Sequence, residues 1–166
     1  NNFLKTAETY YQNLEKFFFN KEKLQHTILK KEVFLEDYAY SIAMLLDLYD
    51  ETLKPSYLLK AKKLSIKAIE LFYIREKSIF QKNQILINDL FHVPIDISDN
   101  NLPNGNSVML LNFTKLGMLD EAKELSESLN KYLNNYRSFM ASSLKAIDYF
   151  NSISNKKNCN DHECTD

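Results

Sequence analysis

Two adjacent acids, Glu36 and Asp37, open the most apolar stretch of the chain and are the first candidates for chemistry. A carboxylate beside an apolar wall can serve as a general acid or base, alone or in a pair. Adjacent residues on a helix point about 100° apart, so these two acids cannot face one substrate together. Tyr38 and an apolar run follow directly, which favours Asp37 as the catalytic candidate, with Glu36 and Tyr38 as binding candidates. The alternative is that both acids only complement the positive end of the helix dipole.

The second group of candidates lies in residues 95–107, the segment richest in turn-forming residues. Asp99 is the predicted catalytic partner of Asp37, and Asp96 is a further loop acid that can complete a carboxylate pair. Gly105 permits a turn with positive φ or a close approach of the backbone. The predicted binding residues of this loop are Asn104, Gly105, Asn106 and Ser107, with Asn106 or Ser107 as the N-cap of the next helix. The alternative is that all of these residues only build the turn and the cap.

The histidines and cysteines suggest less chemistry. His26 and His92 are isolated in the sequence, and we favour a structural role for both, with a place in the lining of a site as the alternative for either. Cys159, His162 and Cys164 cluster near the C-terminus, but a structural zinc site normally needs four ligands. We therefore predict no metal and no cofactor, and we expect free thiols in a reducing compartment, with a disulfide as the alternative.

Glycine is scarce, at 2 of 166 residues, and this scarcity excludes several classes of protein. Phosphate-binding loops and dinucleotide folds need glycine-rich turns, and all-β folds need many residues at positive φ. The net charge is -1, and there is no basic and aromatic stripe of the kind that binds nucleic acid. Apolar runs fall short of the roughly 20 residues of a membrane span. We expect a cytoplasmic all-α protein whose partners include neither nucleic acid nor membrane.

Apolar residues spaced three and four apart predict six helices that position these candidates. The predicted ranges are 2–19, 34–52, 55–73, 107–116, 120–133 and 136–153, paired as three antiparallel hairpins. Residues 1–153 form the predicted helical domain, and 154–166 form a polar tail with the cysteine pair. Residues 74–105 lack a helical period, and Ile79-Phe80 is a candidate to pair with 85–87.

The residue types at helix ends and the apolar spacing within helices also predict caps and buried faces. Gly117 is the predicted stop of the fourth helix, and Asp120 the N-cap of the fifth. The first helix is predicted to bury one face made of Phe3, Leu4, Ala7, Tyr10, Tyr11, Leu14, Phe17 and Phe18. The inward residues predicted for the last helix are Phe139, Met140, Leu144, Ile147 and Phe150.

Two motifs, FLEDYAY at 34–40 and DNNLPNGNS at 99–107, occur in this order about sixty residues apart. In their order and spacing they resemble the YyaL/spermatogenesis-associated family of thioredoxin-domain proteins. The first motif is intact, and the second keeps the family's Asp, Pro, Gly, Asn and Ser positions. The C-x4-C spacing of Cys159 and Cys164 resembles the end of many members.

This resemblance implies an (α/α)6 toroid like that of six-hairpin glycosidases and sugar epimerases, of which the chain holds about three hairpins. It implies an upstream thioredoxin-like domain in the parent protein, and a carbohydrate-type ligand or substrate near Asp37, Asp99 and Asn106. Whether the domain is an enzyme is left open. The alternative is a non-enzymatic helical module that packs against a missing half or a second subunit. A half toroid exposes its inner helices, so we expect the fragment to self-associate.

Overall fold

The computed structural model describes residues 2–20, 23–27, 33–83 and 95–161. Within these ranges, an all-α fold is confirmed, and no helix has the length and apolarity that crossing a bilayer requires. The helices are α1 (Asn2–Phe18), α2 (Leu35–Thr52), α3 (Pro55–Phe72), α4 (Gly105–Leu116), α5 (Leu119–Tyr136) and α6 (Ala141–Asp161). The short strands are β1 (Phe19–Asn20), β2 (Lys23–Leu24), β3 (Tyr73–Ile74) and β4 (Ile79–Phe80). β1 pairs antiparallel with β2, and β3 pairs with β4.

The chain divides into two compact units. Unit 1 comprises Asn1–Tyr73 and Phe80–Ile95, and it contains α1, α2 and α3. Unit 2 comprises Ile74–Ile79 and Asp96–Asp166, and it contains α4, α5 and α6. The first group of candidate residues therefore belongs to unit 1 and the loop at 99–107 to unit 2.

The core of unit 1 is the hairpin of α2 and α3. Leu53 ends α2 in the left-handed region at φ 54, and its amide donates to the Tyr49 carbonyl at 2.7 Å. Pro55 then starts α3 at its first position, where a missing backbone N–H costs nothing. Tyr38 of α2 and Phe72 of α3 are both buried, with ring centroids 5.7 Å apart. The apolar pattern thus predicts this hairpin correctly, to within one residue at each helix end.

Helix α1 packs differently from the prediction. Of its residues, only Tyr11 is buried, whereas Phe3, Tyr10 and Phe17 are 87%, 68% and 50% exposed. The prediction of one wide buried face is wrong because the apolar residues form two adjacent rows on the helix. The row that includes Tyr11 faces α3, and the row that includes Phe3, Tyr10 and Phe17 faces outward.

Polar side chains attach α1 to α3. Glu8 accepts a hydrogen bond from the Tyr57 hydroxyl at 2.9 Å and pairs with the Lys54 ammonium at 2.5 Å. The rings of Tyr11 and Tyr57 meet edge to face at 5.4 Å. The hydrogen bond from Lys54, followed by that from Tyr57, lowers the pKa of Glu8. Burial, followed by the hydrogen bond to Glu8, raises the pKa of Tyr57 to about 12.

Helix α4 forms the core of unit 2. Its residues from Gly105 to Leu110 and from Asn112 to Thr114 are buried, with α5 and α6 packed against it. Gly117 ends the helix at φ 71, and its amide donates to the Thr114 carbonyl at 3.2 Å. The predicted stop at Gly117 is confirmed.

The start of α6 differs from the prediction. Residues 137–139 form a separate 3-10 turn, and the helix begins only at Ala141. That turn changes the rotational register, so Phe139 and Leu144 are exposed, which contradicts the prediction that they point inward. Met140, Ile147 and Phe150 are buried as predicted. The helix also continues to Asp161, into the segment predicted as a tail.

One further local prediction is wrong, and another falls partly outside the described residues. Met118, not Asp120, is the N-cap of α5. Ile79-Phe80 pairs with 73–74, because a three-residue 3-10 turn brings the adjacent segment back at once, and the predicted pairing with 85–87 is not tested. Residues 85–87 lie outside the described residues, as does His92.

Candidate functional site

Asp37 lies in the first turn of α2, where the N-terminus of the helix is tied to a neighbouring segment. The Asp37 carboxylate accepts a hydrogen bond from the Phe34 amide at 2.9 Å, which satisfies a donor that the helix itself leaves unpaired. The next amide, that of Leu35, donates to the Lys82 carbonyl at 2.9 Å. Asp37 is therefore held in one position by its own helix start.

His26 is the partner of Asp37 that the sequence does not reveal. Its Nδ1 lies 2.9 Å from Oδ1 and 3.1 Å from Oδ2 of Asp37. Its ring meets Phe34 edge to face, with centroids 4.7 Å apart. The imidazole is 47% exposed. A carboxylate at Nδ1 favours the tautomer that donates from that nitrogen, which leaves Nε2 as a hydrogen-bond and proton acceptor.

The other two candidates of α2 have different surroundings. Glu36 lies 4.0 Å from the Lys82 ammonium, as a loose ion pair at the surface. Tyr38 is completely buried, and its hydroxyl accepts a hydrogen bond from the Leu24 amide at 3.3 Å. Burial, opposed by that hydrogen bond, raises the pKa of Tyr38. Tyr38 thus anchors β2 to α2 from within the core.

In unit 2, four donors converge on the carboxylate of Asp99. It accepts from the Asn104 amide at 3.0 Å and from Asn104 Nδ2 at 2.9 Å. It also accepts from the Ser142 amide at 2.7 Å and from the Ser142 hydroxyl. Burial raises the pKa of Asp99, but these hydrogen bonds outweigh it, led by the Ser142 hydroxyl, so the pKa lies below the ordinary value. Asp99 therefore acts as a cap for the first turn of α6 from outside that helix.

Asn104 is the N-cap of α4, so the prediction of Asn106 or Ser107 is wrong. Its side-chain oxygen accepts from the Ser107 amide at 3.0 Å, the contact that a cap makes with the third residue of a helix. Gly105 is then the first helical residue, so of the two uses that its flexibility permits, the turn with positive φ is not the one adopted.

Asn106 and Ser107 are both buried. The Asn106 side-chain amide donates to the Asp96 carbonyl at 3.1 Å. The Ser107 hydroxyl donates to the Asn104 carbonyl at 2.7 Å and lies 2.7 Å from the Ser142 hydroxyl. The loop, the start of α4 and the start of α6 are therefore joined by one set of hydrogen bonds.

Within each unit, the structure brings one group of candidates together. Asp99, Asn104 and Ser107 meet in unit 2, together with Ser142, which the sequence pattern does not single out. Asp37 meets His26 in unit 1. The adjacent serines at 142–143 are the only sequence signal for the missed residue, because serine is common at helix starts.

No metal site is formed by the residues whose side chains are described, since no three His, Cys, Asp or Glu residues there are suitably grouped. Cys159 lies within α6, and its side chain is outside the described part, as are residues 162–166.

No protein-family model matches the chain, and a comparison with curated proteins gives no match either. The family resemblance therefore rests on the two motifs and stays a prediction.

Proposed function

We propose that the chain is part of a glycosidase-like helical toroid and binds a carbohydrate-type ligand through the Asp37–His26 pair. The observation that carries the proposal is the placement of His26 Nδ1 within 3.1 Å of both Asp37 oxygens, with the imidazole half exposed. An oriented imidazole with an acceptor at Nε2 suits a ligand rich in hydroxyl groups. The FLEDYAY motif, which contains Asp37, supports the same choice of site.

The proposed roles follow from the hydrogen bonds. His26 accepts a hydroxyl proton at Nε2, and Asp37 orients the ring through Nδ1. Glu36 and Lys82, a loose pair at the same helix start, offer an acceptor and a donor to further hydroxyls. Asp37 is thus a positioning residue, and any acid–base step would run through His26.

Asp99 has a positioning role in this proposal. The four hydrogen bonds to its carboxylate come from Asn104 and Ser142, and they favour the ionised form. Such a carboxylate is a poor proton donor near neutral pH. Asp99 with Asn104 instead fixes the loop of the second motif against α4 and α6.

A thermal-shift screen against neutral hexoses and N-acetylhexosamines tests the proposal. We expect at least one sugar to raise the melting temperature of the wild-type chain, and His26→Ala and Asp37→Asn to abolish the shift. Asp120→Asn is the matched control, because Asp120 also lies in the first turn of a helix and should leave the shift intact. A shift that survives in both site variants contradicts the proposed site, and no response to any sugar contradicts the proposed ligand.

The second candidate is a non-enzymatic helical module that packs against a second subunit or the rest of a parent protein with an upstream thioredoxin-like domain. The exposed row of α1, with Phe3 and Tyr10, favours it because apolar rows at helical spacing are binding surfaces for other helices. Both candidates are compatible with a cytoplasmic protein. Failure of the sugar screen together with self-association of the chain would favour the module.

A further inference from the structure

An open groove of about 690 Å³ lies between α1 and α2 in unit 1. Its α1 wall includes Phe3, Ala7 and Tyr10, and its α2 wall includes Tyr40, Met44 and Glu51. The α1 residues are four and three positions apart, and residues 40, 44, 47 and 51 repeat that spacing on α2. Two walls with this spacing offer the holes into which the side chains of a third helix fit.

The α2 wall is acidic where the helix ends. Asp47 and Glu51 line this wall, and the last turn of α2 contains no basic residue. The C-terminus of a helix is the negative end of its dipole, so the Glu51 carboxylate is electrostatically unfavourable there. No ion pair among the described residues involves Glu51, which is exposed. A basic helix in the groove would relieve this repulsion.

The exposed face of α3 has the complementary composition. Leu59 and Ile66 lie two turns apart on this face and are 60% and 47% exposed. Lys62 and Lys63 lie between them and are also exposed. No ion pair within the described part of the chain involves Lys62. The α3 face thus has two apolar residues on either side of two cations. It complements the groove, which is apolar and has an acidic end.

We propose that the α1–α2 groove binds the Leu59–Ile66 face of α3 from a second copy of this chain. Leu59 and Ile66 enter the apolar part of the groove, and Lys62 pairs with Glu51 of the other copy. Because the α1–α2 groove and the α3 face are different surfaces of unit 1, the contact between two copies is heterologous. It closes into a reciprocal dimer or a ring, or it extends into a filament. The proposal is independent of the carbohydrate site.

Sedimentation velocity on the whole chain, at low salt and over a concentration series, tests the contact. We expect the wild type to associate, and Glu51→Lys or Lys62→Glu to raise its dissociation constant by about tenfold or more, as loss of a complementary charge at an interface does. Each variant alone places like charges opposite each other. An equimolar mixture of the two variants again pairs opposite charges, so we expect association to return.

Charge reversals on α5 serve as controls. Glu127→Lys and Lys131→Glu reverse exposed charges on α5 and should leave association unchanged. Circular dichroism on each variant verifies that the helices are intact. Ile66→Ser tests the apolar part and should also weaken association. The proposal is overturned if the wild type stays monomeric, if Glu51→Lys associates like wild type, or if the mixture fails to associate.

Discussion

Substitution of Asp99 by alanine is the sharpest stability test of unit 2. The Asp99 carboxylate joins the loop of the second motif to the first turn of α6 through hydrogen bonds from Asn104 and Ser142. Alanine removes all of these acceptors at once and leaves the Ser142 amide, near the start of α6, without its partner. The variant therefore distinguishes two roles of Asp99: loss of a stabilising residue lowers the free energy of unfolding, whereas loss of a residue that only binds a ligand leaves it unchanged.

The expected loss follows from the contacts. A hydrogen bond to a charged group contributes about 1.5–3 kcal/mol, and loss of an N-cap costs about 0.5–2 kcal/mol. The bonds to Asp99 share one carboxylate and do not add independently, so we expect a total loss of about 3 kcal/mol. Asp99→Asn keeps one acceptor oxygen and should lose about half as much.

The same substitution has a defined pH dependence. The pKa of Asp99 in the folded chain lies below the ordinary aspartate value of 3.8. Its contribution is therefore complete above the unfolded pKa and is lost as the pH falls through the lower folded pKa. The difference between wild type and Asp99→Ala should accordingly be constant near neutral pH and shrink below about pH 4.

Hydrogen exchange combined with urea denaturation measures the effect within unit 2. We expect the amides at the start of α4 and α6 to lose protection in Asp99→Ala, along with the drop in unfolding free energy. Asp148→Ala, on the exposed side of α6, is the control and should stay within about 0.5 kcal/mol of wild type. A loss of less than 0.5 kcal/mol for Asp99→Ala, or unchanged protection at Ser142, would refute the capping role.

Two further predictions concern other parts of the fold. Gly117→Ala should lower the free energy of unfolding in urea by about 1–2 kcal/mol, because alanine is strained at φ 71. The added Cβ itself meets no atom within 4 Å, so the strain is in the backbone. An unchanged urea midpoint would argue against the left-handed cap. Helix α1 should lose protection in pulsed hydrogen exchange as acid protonates Glu8, whose pKa is lowered from 4.5. A carboxyl group with a lowered pKa in the folded chain gives stability that is lost as the pH falls through that pKa. Tyr57→Phe removes one cause of that lowering, so the loss should begin at higher pH; an identical onset would show that the Tyr57 bond to Glu8 is unimportant.

Much of the fold is predictable because single residues mark the helix ends and apolar spacing marks the buried faces. Pro55 marks the start of α3, and Gly117 marks the end of α4, each through its own backbone restriction. The apolar spacing of α2 and α3 identifies their shared core. The same spacing fails for α1, because apolar residues cover two adjacent rows and only tertiary contacts decide which row is buried. It fails at Phe139 because a 3-10 turn interrupts the period.

The candidate sites are less predictable, since their contacts join residues that are distant in sequence. Asp37 is identifiable from its position at a helix start, but its partner His26 follows β2 and lies 11 residues earlier in the chain. Ser142 meets Asp99 from 43 residues away. Neither pairing has a spacing pattern, because hydrogen bonds between elements depend on how the elements pack.

The tautomer of His26 tests the proposed site most directly. In the wild-type chain at pH 8.5, we expect ¹H–¹⁵N spectra of the imidazole to show the proton on Nδ1, held by the Asp37 carboxylate, and an unprotonated Nε2. Asp37→Asn should weaken this preference, and Asp120→Asn should leave it unchanged. A wild-type imidazole with its proton on Nε2, or one that does not respond to Asp37→Asn, would contradict the orientation on which the proposed function depends.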